Sequence, residues 1–137
     1  MDRNPASRDV DALVRDFYSV FDNRAGRRAD VEQVTALFHH GAVIAKRTPC
    51  GFETSAPAEF ARPRVALLRA GSLLDFHEWE VSSETRIEGD LASRISRYDK
   101  AGAMNGQPYA GSGTKLFQLI RERGRWQIIS LAWADDE

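Results

Sequence analysis

Val10, Leu13, Val14, Phe17, Tyr18 and Phe21 fall at i, i+3, i+4, i+7, i+8 and i+11, the one-sided stripe of an amphipathic helix. The spacing predicts a first helix over about 8–23, opened by Ser7 or Asp9, whose side chains can accept an orphan N–H, and closed before Asn23-Arg24-Ala25-Gly26. Asp30 followed by Gln33 has the form of a capping box, and Val31, Val34, Leu37 and Phe38 give a second short apolar face, so a second helix is predicted over about 31–38. His39-His40-Gly41 breaks it. Residues 42–45 are β-branched at their centre and predict a short buried strand, followed by a loop with Pro49, Cys50 and Gly51. Ser55 can cap a third helix through Phe60, Val65, Leu67 and Leu68 to Gly71, with Pro63 as a kink or restart.

From Leu73 the period changes from 3.6 to 2. His77, Trp79, Val81, Ser83, Thr85 and Ile87 alternate with Glu78, Glu80, Ser82, Glu84 and Arg86, which predicts a long strand with His77 and Trp79 on its drier face. Glu78 and Glu80 then belong to a solvated stripe. A bulge that reversed the register would bring Glu78 inward as a proton-abstracting base with a raised pKa. Further strands are predicted over about 91–98, 114–121 and 126–133, with a Gly-rich loop over 99–113 and a tight turn at Glu122-Arg123-Gly124-Arg125. Asp135-Asp136-Glu137 is expected to be a solvated tail. Three helices and a short strand ahead of long hairpin-connected strands mean an α+β domain with helices on one face of an antiparallel sheet. On the last strand Trp126, Ile128 and Ala132 share one parity and Ile129, Leu131 and Trp133 the other, so both faces are apolar. The helices cover one face, and a second copy of the chain is expected to cover the Ile129 face as a homodimer.

Composition narrows the function classes. The 137 residues suit one domain, read as 1–137 with an ordered core of about 8–134. Nineteen basic against twenty acidic residues give a net charge of −1, which provides no general attraction to nucleic acid or an anionic membrane. The polar start Met1-Asp2-Arg3-Asn4-Pro5 lacks an apolar leader core, and no apolar run approaches membrane-spanning length. A single cysteine, Cys50, excludes an internal disulfide and fits a reducing compartment, so a cytoplasmic protein is expected. No metal is expected, because the adjacent His39 and His40 diverge at a helix end and have no carboxylate or thiol at ligand spacing. No cofactor is expected either. Gly111-Ser112-Gly113 lies between strands rather than before a helix, unlike a phosphate loop.

The stretch from Ala36 through Phe38-His39 to Val43-Ile44, and the ending Gly124-Arg125-Trp126-Gln127-Ile128, resemble the second-helix-to-first-strand and last-strand signatures of the nuclear-transport-factor-2-like superfamily, also called cystatin-like or polyketide-cyclase-like. Phe76-x-Glu78, residues 92–98 and residues 113–118 are similar to a bacterial subgroup of mostly unassigned function. The resemblance implies a cone: a curved antiparallel sheet wrapped around three N-terminal helices, a pocket in its mouth, and a homodimer. It spans enzymes such as ketosteroid isomerases, scytalone dehydratase and limonene epoxide hydrolase, as well as non-catalytic binders, and fold alone does not choose among them. Several members carry a His on the last strand about where this chain has Ser130 and Ala132, so no catalytic set carries over.

The candidate catalytic residues are therefore His77, as acid or base, and Tyr98, as an oxyanion donor. The candidate lining of the ligand pocket is Phe17, Trp79, Ser96, Gln118 and Ser130. Two readings follow. One is a cofactor-free acid/base isomerase, dehydratase or cyclase acting on an unidentified small molecule, and the other is a non-catalytic dimeric association or ligand-binding module. A cone closed by aromatics leaves the second, while an open cavity with two convergent ionisable groups favours the first.

Overall fold

A computed structural model describes residues 4–137; Met1 to Arg3, part of the stretch read for a leader, lie outside the described residues. Helix α1 (Pro5–Ser19) starts earlier than the stripe alone suggests. The Asn4 side chain accepts the Ser7 N–H at 2.8 Å, and Pro5 occupies the first turn, where its missing N–H costs nothing. Val10, Leu13, Val14, Phe17 and Tyr18 are its buried residues. After a 3-10 turn over Arg24–Gly26, α2 (Val31–Thr35) begins at Asp30, whose side chain accepts the Glu32 N–H at 3.1 Å. It ends at Thr35 rather than 38 because the sheet takes the residues that follow: the Leu37 carbonyl accepts the Ile128 N–H at 3.0 Å.

Strand β1 (Phe38–Thr48) is much longer than the predicted 42–45 and turns at Pro49-Cys50 into β2 (Gly51–Ser55). The pattern missed β2 because four of its five residues are exposed, which leaves no alternation to see. Helix α3 (Pro57–Arg69) is capped one residue later than predicted, with the Glu59 carboxylate accepting the Ala56 N–H at 2.9 Å, and it continues through an exposed Pro63. Four long strands follow: β3 (Leu73–Glu88), β4 (Leu91–Met104), β5 (Gln107–Glu122) and β6 (Arg125–Asp135). The segment 99–113 is no loop. β4 and β5 run through it and meet at Asn105-Gly106, both at positive φ (51° and 79°), the geometry of a primed two-residue hairpin.

The strands form one curved, unclosed sheet in the order β2-β1-β6-β5-β4-β3. The α+β architecture is as expected, with one parallel pair, β1 and β6, in an otherwise antiparallel sheet. Two bulges decide which residues face the helices. In β3 the register slips between Leu74 and His77, with Asp75 in the left-handed region at φ 51°. Leu73 and Phe76 therefore both turn inward, and Glu78 and Glu80 follow them in place of His77 and Trp79. In β6, Gln118 faces Ser130 while the next residue, Leu119, faces Ile128, leaving Ile129 as the extra residue. Trp126 and Ile128 point inward before the bulge, and Leu131 and Trp133 after it.

This corrects the expected dimer face: Leu131 and Trp133 are 1% and 7% exposed and belong to the chain's own core. The outer face instead carries a register row in which Ile95 sits beside Leu116, Leu116 beside Ala132, and Ala132 beside Ala45. In the core Phe17 makes edge-to-face contacts with Phe21, Phe38 and Phe117, with centroids 5.2, 6.1 and 5.3 Å away.

Candidate functional site

The open end of the cone holds a cavity of about 160 Å³ between α1, α3 and the inner face of the sheet. Phe17, Phe21, Phe60, Phe76 and Trp133 supply aromatic walls, and Leu67, Leu68, Leu73 and Met104 supply aliphatic ones. Charged groups share this space: Lys46 from β1, Arg64 from α3, Glu78 from β3, Lys100 from β4, Lys115 from β5 and Asp135 from β6.

The β3 bulge is what delivers Glu78. Asn23, just before the 3-10 turn, holds it in place from both sides. Its side-chain nitrogen donates to the Leu68 and Leu73 carbonyls at 3.1 and 2.9 Å, its side-chain oxygen accepts the Phe76 N–H at 2.6 Å, and its own N–H donates to the Phe76 carbonyl at 3.1 Å. Across the sheet, Gly102 lies where a Cβ would stand 2.9 Å from the Leu74 carbonyl oxygen, so the bulge needs that glycine.

Glu78 Oε2 lies 3.5 Å from Lys115 Nζ, and the two side chains are 12% and 4% exposed. The Lys115 ammonium stands 3.5 Å above the centre of the Tyr98 ring. Burial pushes its pKa down to about 8, against the opposing pull of the Glu78 carboxylate. Asp135 accepts the Tyr98 hydroxyl and, at 3.0 Å, the Lys100 ammonium. Burial disfavours its charge, yet these two donors hold its carboxyl below the ordinary range. Burial, with the Asp135 hydrogen bond next, pushes the Tyr98 phenol far up, so it remains a protonated donor. Asp135 is thus a strand residue inside the cone and no solvated tail, and Asp136 beside it pairs with Arg97 at 2.7 Å.

Arg64 is held differently. Its guanidinium carbon lies 5.2 Å from the Phe60 centroid and 4.7 Å from the Trp133 centroid, and among the described residues it makes no hydrogen bond or ion pair. Lys46 Nζ stands 5.9 Å from the same Trp133 ring, also with no carboxylate partner among the described residues.

Of the residues singled out from the sequence, Phe17 lines this cavity. Tyr98 is buried behind it, acting through Asp135 and Lys115. Ser96 is also buried on the inner face, where it bonds the Tyr18 hydroxyl at 2.7 Å and donates to Glu80 at 2.6 Å, outside the cavity. His77 and Trp79 do not line the cavity, because the bulge turns them away; they stack on one another at 4.6 Å. Trp79 borders a separate open cleft with Asp11 and Glu80. Gln118 and Ser130 lie on the outer face and bond each other at 3.0 Å; the β6 bulge turns Ser130 outward, and Gln118 alternates with the buried Phe117 and Leu119. His39 pairs its Nε2 with Glu122 at 2.9 Å, and its Nδ1 accepts the Gly41 N–H.

No family model matches the chain, and no curated protein matches it. Solved structures do. A nuclear transport factor 2-like superfamily protein from Salmonella enterica serovar Typhimurium superposes with a TM-score of 0.76 at 12% identity, over 95% of this chain and 90% of that one. A type 2 hexachlorocyclohexane dehydrochlorinase gives 0.75 at 14% identity, over 96% and 86%. A protein of unknown function with a cystatin-like fold from Nostoc punctiforme gives 0.72 at 16% identity, over 99% and 96%. The chain has the nuclear-transport-factor-2-like, or cystatin-like, fold.

Proposed function

We propose that the cavity binds a small molecule and works as a cofactor-free acid/base site, with Glu78 as the base and Lys115 as the cation that steadies the developing negative charge. The observation that carries this reading is the opposed pair itself: a carboxylate and an ammonium 3.5 Å apart, converging on one aromatic-walled cavity. Glu78 takes a proton from a carbon next to a carbonyl, and the C–H electrons move onto the carbonyl oxygen as an enolate. The Lys115 ammonium faces that charge in a medium drier than water, where the interaction is strongest. Where the substrate has a β,γ double bond, the enolate is a dienolate, and return of the proton from Glu78 to the γ carbon moves the double bond to α,β and completes an isomerisation. The same first step opens an elimination, the class of reaction named for the dehydrochlorinase that shares this fold.

The test uses phenylacetone in D₂O, with exchange of its benzylic protons followed by NMR. The protein is expected to speed exchange on the order of 10²-fold or more over buffer. Glu78→Gln removes the acceleration, His77→Ala keeps it, and the rate falls above about pH 8, where Lys115 loses its proton. No acceleration by the wild type, or full acceleration in Glu78→Gln, overturns the acid/base reading and leaves the non-catalytic module as the better account.

Two copies are proposed to pair through the outer sheet face. Ile95 and Leu116 are 48% and 49% exposed there, side by side in register, and the small Ala132 next to them permits close approach. Light scattering should give twice the 15.4 kDa chain mass for the wild type and the single-chain mass for Leu116→Glu. A wild-type monomer at micromolar concentration would sink this pairing. The cytoplasm is the proposed compartment, where the exposed Cys50 thiol stays reduced.

A further inference from the structure

The charge balance of the cavity points to its ligand class. Four cations line it, Lys46, Arg64, Lys100 and Lys115, against two carboxylates, Glu78 and Asp135. Lys100 is satisfied by Asp135 at 3.0 Å, and Lys115 faces Glu78 at 3.5 Å. Lys46 and Arg64 remain. Both stand against Trp133, at 5.9 and 4.7 Å from its centroid, and Lys115 approaches the same indole at 5.5 Å. A ring face attracts a cation, but it cannot replace the hydrogen-bond acceptors that a guanidinium loses on leaving water. Burial pulls the Arg64 pKa down, the cost of a cation with no carboxylate in hydrogen-bond reach. Elsewhere on the same inner face, Arg94 has two carboxylates of its own, so a lack of partners is not general in this fold.

We infer that the cavity takes a small organic monocarboxylate, its carboxylate held by the planar fork of Arg64 with Lys46 beside it and its apolar part lodged among Phe17, Phe21, Phe76 and Met104. The guanidinium matches a carboxylate with two parallel donors, and stacking on Phe60 and Trp133 fixes its plane before the ligand arrives. The size follows from the volume. A cavity of about 160 Å³ is close to the roughly 150 Å³ that holds one benzene molecule, so the apolar part is about one six-membered ring. The carboxylate is a handle for binding, separate from the carbon that Glu78 would deprotonate. This inference rests on the reading of the cavity as a ligand site, though not on the cavity being catalytic.

The test is calorimetric titration with benzoate and with its neutral isostere benzamide, in a chloride-only buffer of fixed ionic strength. Wild-type protein is expected to bind benzoate at least about tenfold more tightly than benzamide. Arg64→Gln should bring the two to parity. Arg64→Lys keeps a charge but not the fork, so it should retain part of the preference, and it guards against a folding defect in the first variant. Glu78→Gln should leave benzoate binding intact or tighten it, since a competing anion is removed. Equal binding of the two ligands by wild type, failure of both to bind, or an undiminished preference in a folded Arg64→Gln overturns the inference. The two readings fail separately. Loss of proton exchange with the benzoate preference intact removes only the acid/base proposal, and exchange without any benzoate preference removes only the carboxylate.

Discussion

Two polar clusters share the inner face of one sheet, and they differ in how completely their charges are matched. Around Arg94, a 6% exposed guanidinium donates to Asp11 at 2.6 Å, to Thr85 at 3.2 Å and to both oxygens of Glu80, while Ser96 adds a further bond to Glu80. One cation meets two carboxylates, so the cluster is closed and ties α1 to β3 and β4. Around Trp133 the balance is reversed, with Arg64 and Lys46 facing ring surfaces and making no ion pair with a carboxylate among the described residues. The second cluster is also shallower, with Arg64 on α3 half-buried and Lys46 on β1 exposed, and it differs most in the matching of charges. A buried ionic group with all its partners holds the fold together, while one that lacks them has been left with an energetic cost that a ligand can offset.

The largest expected effect tests that contrast directly. Arg94→Met takes the guanidinium away from Glu80 and Asp11 and should cost about 3–5 kcal/mol of unfolding free energy, as removal of one member of a buried ion pair does. Arg64→Met removes a cation with no hydrogen bond or ion pair among the described residues and should stay within about 1 kcal/mol of wild type, the loss being confined to its contacts with two rings. Urea unfolding at pH 7 measures both. Comparable losses in the two variants would show that Arg64 is structural and that the contrast is empty.

What the sequence made legible follows from how local each signal is. The α1 stripe and the shared inward parity of Arg94, Ser96 and Tyr98 could be read, since each depends only on unbroken spacing. The assignment of His77 over Glu78 could not, because Asp75 inserts one residue ahead of them and shifts the faces of the strand as far as a second slip between Glu80 and Ser82. The restraints on that bulge come from far along the chain, from Asn23 and Gly102, and neither stands out by composition. Lys115 was hidden for another reason. Its face of β5 carries Phe117 and Leu119 and the opposite face carries Leu116 and Ile120, so hydrophobicity cannot say which is inside. The Asn105-Gly106 hairpin signal was present in the sequence, and it would have placed Lys100 and Tyr109 near the cone mouth.

A third cluster, at the end of α1, gives the smallest effect and sharpens the comparison. Asp22 accepts the Arg24 N–H at 2.9 Å, the Arg24 side chain at 3.0 and 2.8 Å, and Arg27 at 2.7 Å. It is matched like the Arg94 cluster, but its two arginines are 44% and 63% exposed, so water and salt screen the pair. The Arg24 hydrogen bond holds its carboxyl down at about 2, well under the ordinary carboxylate range, despite the opposing effect of burial. A carboxyl with a depressed folded pKa contributes stability that is full above its unfolded value, near 4, and is lost as pH falls through 2. Allowing for screening, that contribution is about 1–2 kcal/mol. Unfolding measured from pH 7 to pH 2 should show wild type more stable than Asp22→Asn by that margin above pH 5, with the gap closing between pH 4 and pH 2. Parallel curves for the two proteins would mean that the Arg24 and Arg27 bonds add nothing net, and matched charges at this rim would then carry no more of the fold than the unmatched ones around Trp133.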